Sequence, residues 1–344
     1  MSDSPILIVP YMWIGDFVRC HTVVKLLQQR FPSRAIDLLT TATAAPLLDY
    51  MPGVRKGIVA DLPRNRLAFA HHRALADRLR AHQYGHALVM PRTWKSALAP
   101  YLAGIPLRTG FVGEARFGLI NDLRWGERRL SRMVDRCVAL ALTTGEKPPT
   151  ELPLPELRVP AAEIAAWRRR LGLESHGGRV VAFAPGAVGP SKRWPYYAEL
   201  ARHLAVERIS IWVIGGPAEK ELAAEIVRAD PGHIRDLTGG DLRNAILALA
   251  AATAAVSNDS GLLHVAAALG TPAVGIFGPT SAWLWGPLNP LAAVIETTRE
   301  LHCRPCHKPV CGLHHHLCMR EIAVDRAAAA VHETLAAVSQ RQHV

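Results

Sequence analysis

Short runs rich in Ile, Val and Leu alternate along this chain with longer amphipathic segments, and no other feature restricts the fold as strongly. An apolar run of roughly 4–8 residues suits a strand buried on both faces, and the amphipathic segment after it suits the crossover helix to the next parallel strand. In the first half, strands are predicted over 6–10, 35–40, 57–60, 86–90 and 108–111, with helices over 17–31, 64–81 and 93–103. The Pro-rich stretch 147–155 carries no periodic pattern and reads as a linker. Beyond it the alternation restarts, with strands over 180–184, 209–214, 254–257 and 273–277 and helices over 161–171, 196–206, 218–228, 242–252 and 262–269. A final helical pattern covers 324–338. A single core stops growing at about 250–300 residues, and this chain has 344. The expectation is an α/β protein with two Rossmann-like, doubly wound parallel-sheet domains. The first covers 1–150, a linker 151–158, the second 159–323, and a C-terminal helix and tail 324–344. No repeat of solenoid length is visible.

Charge separates the two halves. Residues 1–150 hold 21 Lys and Arg against 11 Asp and Glu, whereas residues 151–344 hold 19 against 18. Nearly all of the formal +11 therefore belongs to the first half, concentrated in 51–150, which points to an acidic partner there. The amino terminus lacks the basic start of a secretory signal, and the apolar stretch 6–10 soon meets Asp16 and Arg19. The longest apolar stretch, 245–256, falls short of the roughly 20 residues that span a bilayer. A soluble protein is expected, with a basic face able to rest on an anionic membrane.

Four motifs sit where predicted strands end, the rim at which open α/β sheets bind ligands. In Trp13-Ile-Gly15-Asp16, Asp16 is either a general base or an N-cap at the helix start. The loop from Pro185 through Gly186 to Lys192-Arg-Trp-Pro195 is suited to a diphosphate, through backbone amides and the point charge of Lys192. A plain solvated loop is the competing reading. It matches neither the P-loop nor the dinucleotide fingerprint. Ser257-Asn-Asp259-Ser260-Gly261-Leu-Leu-His264 opens a helix whose N-terminus suits an anion or its own cap, with His264 one turn in as a phosphate contact or an interior histidine. After the strand 209–214, Glu219 is placed either for ribose hydroxyls or for its own helix dipole, with Glu221 as a competitor.

These motifs, together with Lys95-Ser-Ala-Leu and Ala103-Gly-Ile-Pro-Leu-Arg108-Thr-Gly-Phe, run in an order that resembles the ADP-heptose:lipopolysaccharide heptosyltransferases of glycosyltransferase family 9, most like their heptosyltransferase II members. The resemblance spans nearly the whole chain. It implies a GT-B fold, with an acceptor-binding first domain and an ADP-heptose-binding second domain facing across a cleft. It also implies an inverting transfer of heptose onto the first heptose of heptosyl-Kdo2-lipid A, with no cofactor required for catalysis. Asp16 is then the catalytic base, with Lys192 acting on the donor diphosphate. Gly186, Glu219, Asp259, Ser260, Gly261 and His264 would bind the donor. The absence of any Asp-x-Asp motif agrees with a metal-independent reaction.

The basic half then acquires a partner, since the lipopolysaccharide core carries phosphates and carboxylates. Arg64, Arg66, Arg92, Lys95, Arg108, Arg116 and Arg124 are the candidates to meet them, some of the set being ordinary solvated side chains. Placement on the cytoplasmic face of the inner membrane follows as an expectation. Cys303, Cys306, Cys311 and Cys318, interleaved with five histidines, suit one structural zinc or iron ion, but the second pair lacks the usual C-x2-C spacing and reduced thiols are the alternative. A basic nucleic-acid-binding protein with a zinc ribbon explains the charge and the cysteines but not the paired α/β halves. A GT-B-like epimerase or an oxidoreductase keeps the topology, the latter without its glycine fingerprint. Heptosyltransferase I, or a later core heptosyltransferase, differs only in its acceptor.

Overall fold

The computed structural model describes residues 3–62, 68–173 and 178–341, which form two compact units, Met1–Pro155 and Glu156–Val344. In unit 1 the elements run β1 (Ile6–Val9), α1 (Ile14–Arg19), α2 (His21–Arg30), β2 (Ile36–Thr40), β3 (Lys56–Val59), α3 (Phe69–Arg80), β4 (His86–Val89), α4 (Trp94–Leu102), β5 (Leu107–Phe111), β6 (Asp122–Arg124) and α5 (Met133–Ala141). All six strands are parallel, in the order β3-β2-β1-β4-β5-β6. The central strands β1 and β2 are buried along their whole length, as helix-covered parallel strands must be.

Unit 2 repeats the plan with α6 (Ala161–Arg170), β7 (Val180–Ala184), α7 (Tyr197–Val206), β8 (Ser210–Val213), α8 (Lys220–Val227), β9 (Ile234–Asp236), α9 (Leu242–Ala251), β10 (Ala254–Asn258), α10 (Gly261–Leu269), β11 (Ala273–Phe277), α11 (Ala282–Trp285), β12 (Ala292–Glu296), α12 (Leu317–Arg320) and α13 (Val324–Arg341). Its parallel order is β12-β11-β10-β7-β8-β9, the same topology as in unit 1. The C-terminal helix α13 belongs to this unit: Ala327, Ala328, Val331 and Leu335 share one core with Leu200 and Leu204 of α7 and with Val256 and Ile276 of the sheet.

Two differences from the sequence reading have physical causes. The helix expected over 17–31 starts at Ile14 and divides at Cys20, whose carbonyl accepts from Val23 at 2.9 Å and so tightens the turn between α1 and α2. The strands β6, β9 and β12 escaped notice because they lie at sheet edges: two have three residues each, and all three contain charged residues or exposed positions that blur the aliphatic signal. Among the described residues no helix is long and apolar enough to cross a membrane.

Candidate active site

The strand order of each sheet reverses at one point, and ligands of such sheets bind beyond the carboxyl ends of the strands on either side of it. In unit 2 those strands are β7 and β10. The loops leaving them are locked together by Asn258, whose side-chain amide donates to the Pro185 carbonyl at 2.7 Å while its Oδ1 accepts from the Trp194 amide at 3.1 Å. This lock brings Lys192 to Asp259, with the ammonium donating to Oδ2 at 2.7 Å. The Thr280 hydroxyl donates to the same oxygen, also at 2.7 Å. Thr280 was not singled out from the sequence, although Gly278-Pro-Thr280 follows β11 in the same strand-then-loop pattern.

Asp259 leads directly into α10. Ser260 is the N-cap, yet its side chain does not cap the helix; its Oγ lies 3.0 Å from Ser257 Oγ. The partial positive charge at the start of this nine-residue helix therefore lies beside the Lys192 ammonium. His264 is buried one turn further in. On the neighbouring loop, Glu219 accepts from the Gly216 amide at 2.9 Å. It also crosses to the β7 loop, so close that a Cβ on Gly186 would stand 2.6 Å from Glu219 Cγ. A side chain at 186 would push Glu219 away from the β7 loop. Of the two competing acids, Glu219 is the one that reaches this rim, whereas Glu221 is exposed on α8.

The Lys192 loop is braced from outside by the cysteine-rich segment. Ser191 donates its hydroxyl to the Lys308 carbonyl at 2.5 Å and its amide to the Pro309 carbonyl at 3.2 Å. Gly189 has φ +91° and packs so tightly that a Cβ would fall 2.6 Å from the Pro309 carbonyl oxygen. Within that segment the four cysteines are free thiols. Cys311 is held below its ordinary value, chiefly by hydrogen bonding from the His316 amide and further by those of Leu313, His315 and His314. Burial pushes the Cys318 thiol up to about 11. Cys303 Sγ lies 4.0 Å from His315 Nε2.

In unit 1 the switch point lies between β1 and β4, and Trp13-Ile-Gly-Asp16 leaves β1 there. Asp16 is not the N-cap that the sequence left open. Trp13 takes that position, and Asp16 stands in the first turn of α1, its carboxylate paired with the Arg19 guanidinium one turn on. The Arg19 side chain is only 4% exposed, so this pair is fixed from below. Beneath it lie Tyr11 and Cys137, whose thiol is pushed up to about 12 by burial and then by the Asp16 charge. Neither Arg19 nor the α5 residue Cys137 was singled out from the sequence. Their signal was present in the i, i+3 spacing of Arg19 from Asp16 and in the amphipathic run Val134, Cys137, Val138, Ala141.

The basic candidates of this unit divide by burial. Arg92 is half exposed and lies 3.1 Å from Glu127, and Lys95 is partly exposed on α4. Arg124 pairs with Asp122 at 2.8 Å. Arg64 and Arg66 lie outside the described residues. Arg108 and Arg116 are corrected to internal roles. Arg108 donates to the carbonyls of Leu119 (2.7 Å), Gly118 (3.3 Å) and Ile105. Arg116 is 1% exposed and ties the ends of β4 and β5 through the carbonyls of Pro91 and Phe111. A buried guanidinium matched to carbonyls leaves them unpaired when it is removed. Arg116→Ala is therefore expected to cost about 3 kcal/mol in urea unfolding.

Two Rossmann-like parallel sheets, the second gathering a lysine and a helix N-terminus at its switch point, are the architecture of the GT-B fold. The chain belongs to glycosyltransferase family 9, the heptosyltransferases, whose family description matches residues 72–316. It is 38% identical over 311 residues to lipopolysaccharide heptosyltransferase 2 of Escherichia coli K12, covering 86% of this chain and 89% of that protein. To lipooligosaccharide heptosyltransferase 2 of Haemophilus ducreyi it is 36% identical over 307 residues, covering 85% and 88%. The solved structure of the E. coli ADP-heptose LPS heptosyltransferase II superposes with a TM-score of 0.86 at 34% identity, over 97% of this chain and 99% of that one.

Proposed function

We propose that the protein transfers L-glycero-D-manno-heptose from ADP-heptose to the first heptose of heptosyl-Kdo2-lipid A, inverting the anomeric centre. The observation that carries this reading is the rim of unit 2, where Lys192, Asp259 and the start of α10 stand together beyond β7 and β10. A diphosphate at that rim meets one point charge and one helix dipole, and Glu219 on the adjoining loop is placed for a ribose hydroxyl. The kinship with heptosyltransferase 2 proteins supports the choice of sugar and acceptor.

In the proposed step an acceptor hydroxyl attacks the anomeric carbon and the bond from that carbon to the diphosphate oxygen breaks, so ADP departs with the electron pair. A sugar hydroxyl is a weak nucleophile, and Asp16 takes its proton as the new bond forms. Charge growing on the leaving diphosphate is met by Lys192 and the α10 N-terminus, both fixed before the reaction begins. Arg92 and Lys95, the more exposed of the described candidates, meet the phosphates and carboxylates of the acceptor. That acceptor is amphipathic, so the enzyme works against the cytoplasmic face of the inner membrane.

A structural zinc or iron ion at Cys303, Cys306, Cys311 and Cys318 belongs to the same reading. The amide cradle of Cys311 favours a thiolate, but among the described residues no three of these cysteines bring their sulfurs within 4.8 Å of one another, so an ion there would have to draw the segment together. In that role the ion would stiffen the segment that braces the Lys192 loop. The function is tested by incubating the full chain with ADP-heptose and heptosyl-Kdo2-lipid A. ADP release matched by a heptose-extended glycolipid is expected. Absence of both would overturn the assignment.

A further inference from the structure

Far from the cysteines in sequence, α7 and α13 bring two imidazoles and a carboxylate to one place. His203 and Glu207 stand four residues apart at the end of α7, and His332 faces them from α13. One donor atom from each lies within 4.8 Å of the other two. The closest approach is His332 Nε2 to Glu207 Oε1 at 3.2 Å, and the rings of His203 and His332 have centroids 6.4 Å apart. Three ligands around a tetrahedral zinc, at about 2.0–2.1 Å each, need mutual separations of about 3.4 Å. All three side chains are partly or fully exposed, which leaves them room to rotate toward that spacing.

The backbone beneath them is fixed. Leu204 beside His203 and Val331 beside His332 are at most 1% exposed and belong to the same hydrophobic core. Both helices therefore present their ligands from rigid supports, which keeps the entropy lost on binding small. The donor set also has a chemical preference. Two neutral imidazoles and one carboxylate suit zinc and neighbouring first-row divalent ions and do not suit calcium or magnesium, which seek oxygen.

We propose that His203, Glu207 and His332 form a binding site for one divalent transition-metal ion, zinc being the natural occupant. A solvent molecule would complete the coordination, and the ion would staple the C-terminal helix to α7. This site is separate from the transfer chemistry proposed above. Its failure would leave that chemistry untouched, and so would its success.

The test uses the full chain with any histidine tag removed. Zinc binding is followed by calorimetry in the unaltered protein and in His203→Ala/His332→Ala, after the metal-free forms have been shown to share one far-ultraviolet circular dichroism spectrum. The unaltered protein is expected to bind one more ion per chain than the variant. Zinc is also expected to raise its melting temperature further, since an ion held by both helices binds only the folded state. A single His203→Gln substitution, milder for folding, is expected to weaken the site at least tenfold. Cobalt separates this site from the cysteines: the ion lost in the variant should lack the sulfur-to-cobalt charge-transfer band. Equal stoichiometry and affinity in the two proteins would overturn the proposal, as would a thiolate band on the ion that the variant fails to bind.

Discussion

Asp16→Asn is expected to lower the transfer rate by 10²-fold or more, the range of a lost general base, and to leave ADP affinity unchanged. Asparagine keeps the size and hydrogen-bonding reach of the carboxylate but takes no proton from an attacking hydroxyl. The substitution is informative because Asp16 has a second, structural occupation as the partner of the buried Arg19. Loss of that ion pair leaves a guanidinium short of a counter-charge, so some destabilisation accompanies it. The two contributions separate by readout. A base acts on turnover alone, whereas a fold defect in α1 lowers the melting temperature and the fraction of active protein. ADP affinity, which the proposed reading places in the other unit, reports on whether the rest of the enzyme is intact. A variant that melts normally, binds ADP normally and still turns over at the original rate would remove Asp16 from the chemistry.

The second large effect is expected at Lys192. Lys192→Ala removes one fixed positive charge from the diphosphate, and the loss of one preorganised stabilising group costs about 10²–10³ in turnover. Part of that loss arises indirectly. Lys192 and Thr280 both donate to Asp259 Oδ2. Without the lysine, the Asp259 carboxylate repels the donor that it formerly helped to place. Lys192→Ala/Asp259→Asn should therefore recover about tenfold over Lys192→Ala, a coupling of the size that contacting residues show. Steady-state kinetics with ADP-heptose as the varied substrate measure both. If the double variant is as slow as the product of the two single losses, Asp259 is not an electrostatic partner of Lys192 in the reaction.

What could be read from the letters, and what could not, follows from the range of the interactions. The strands β7 and β11 were placed to the residue because they are buried on both faces and composed only of apolar residues, so each letter carried the signal. Edge strands such as Ile234–Asp236 have one neighbour and mixed residues, and their pairing is decided by strands distant in sequence. The same distinction holds at the site. Asp16, Lys192 and Asp259 were legible as rim residues by position, each in a loop or turn just beyond a strand. Arg108 and Arg116 were misjudged because an arginine that holds carbonyls and one that meets a phosphate look alike in sequence. Only the folded path of the chain, which brings Pro91, Ile105, Phe111, Gly118 and Leu119 around them, shows which carbonyls they hold. The pairing of Lys192 with Asp259, 67 residues apart, was likewise invisible until the Asn258 lock joined their loops.

The most direct measurement of the central claim compares two acceptors, Kdo2-lipid A with and without its first heptose, under identical conditions with ADP-heptose as donor. The donor is the same in both reactions, so any difference reports on acceptor choice alone. Transfer to the heptosylated acceptor, with little or none to the bare one, is the expected result. Transfer only to bare Kdo2-lipid A would contradict the assignment and make the enzyme one that adds the first heptose.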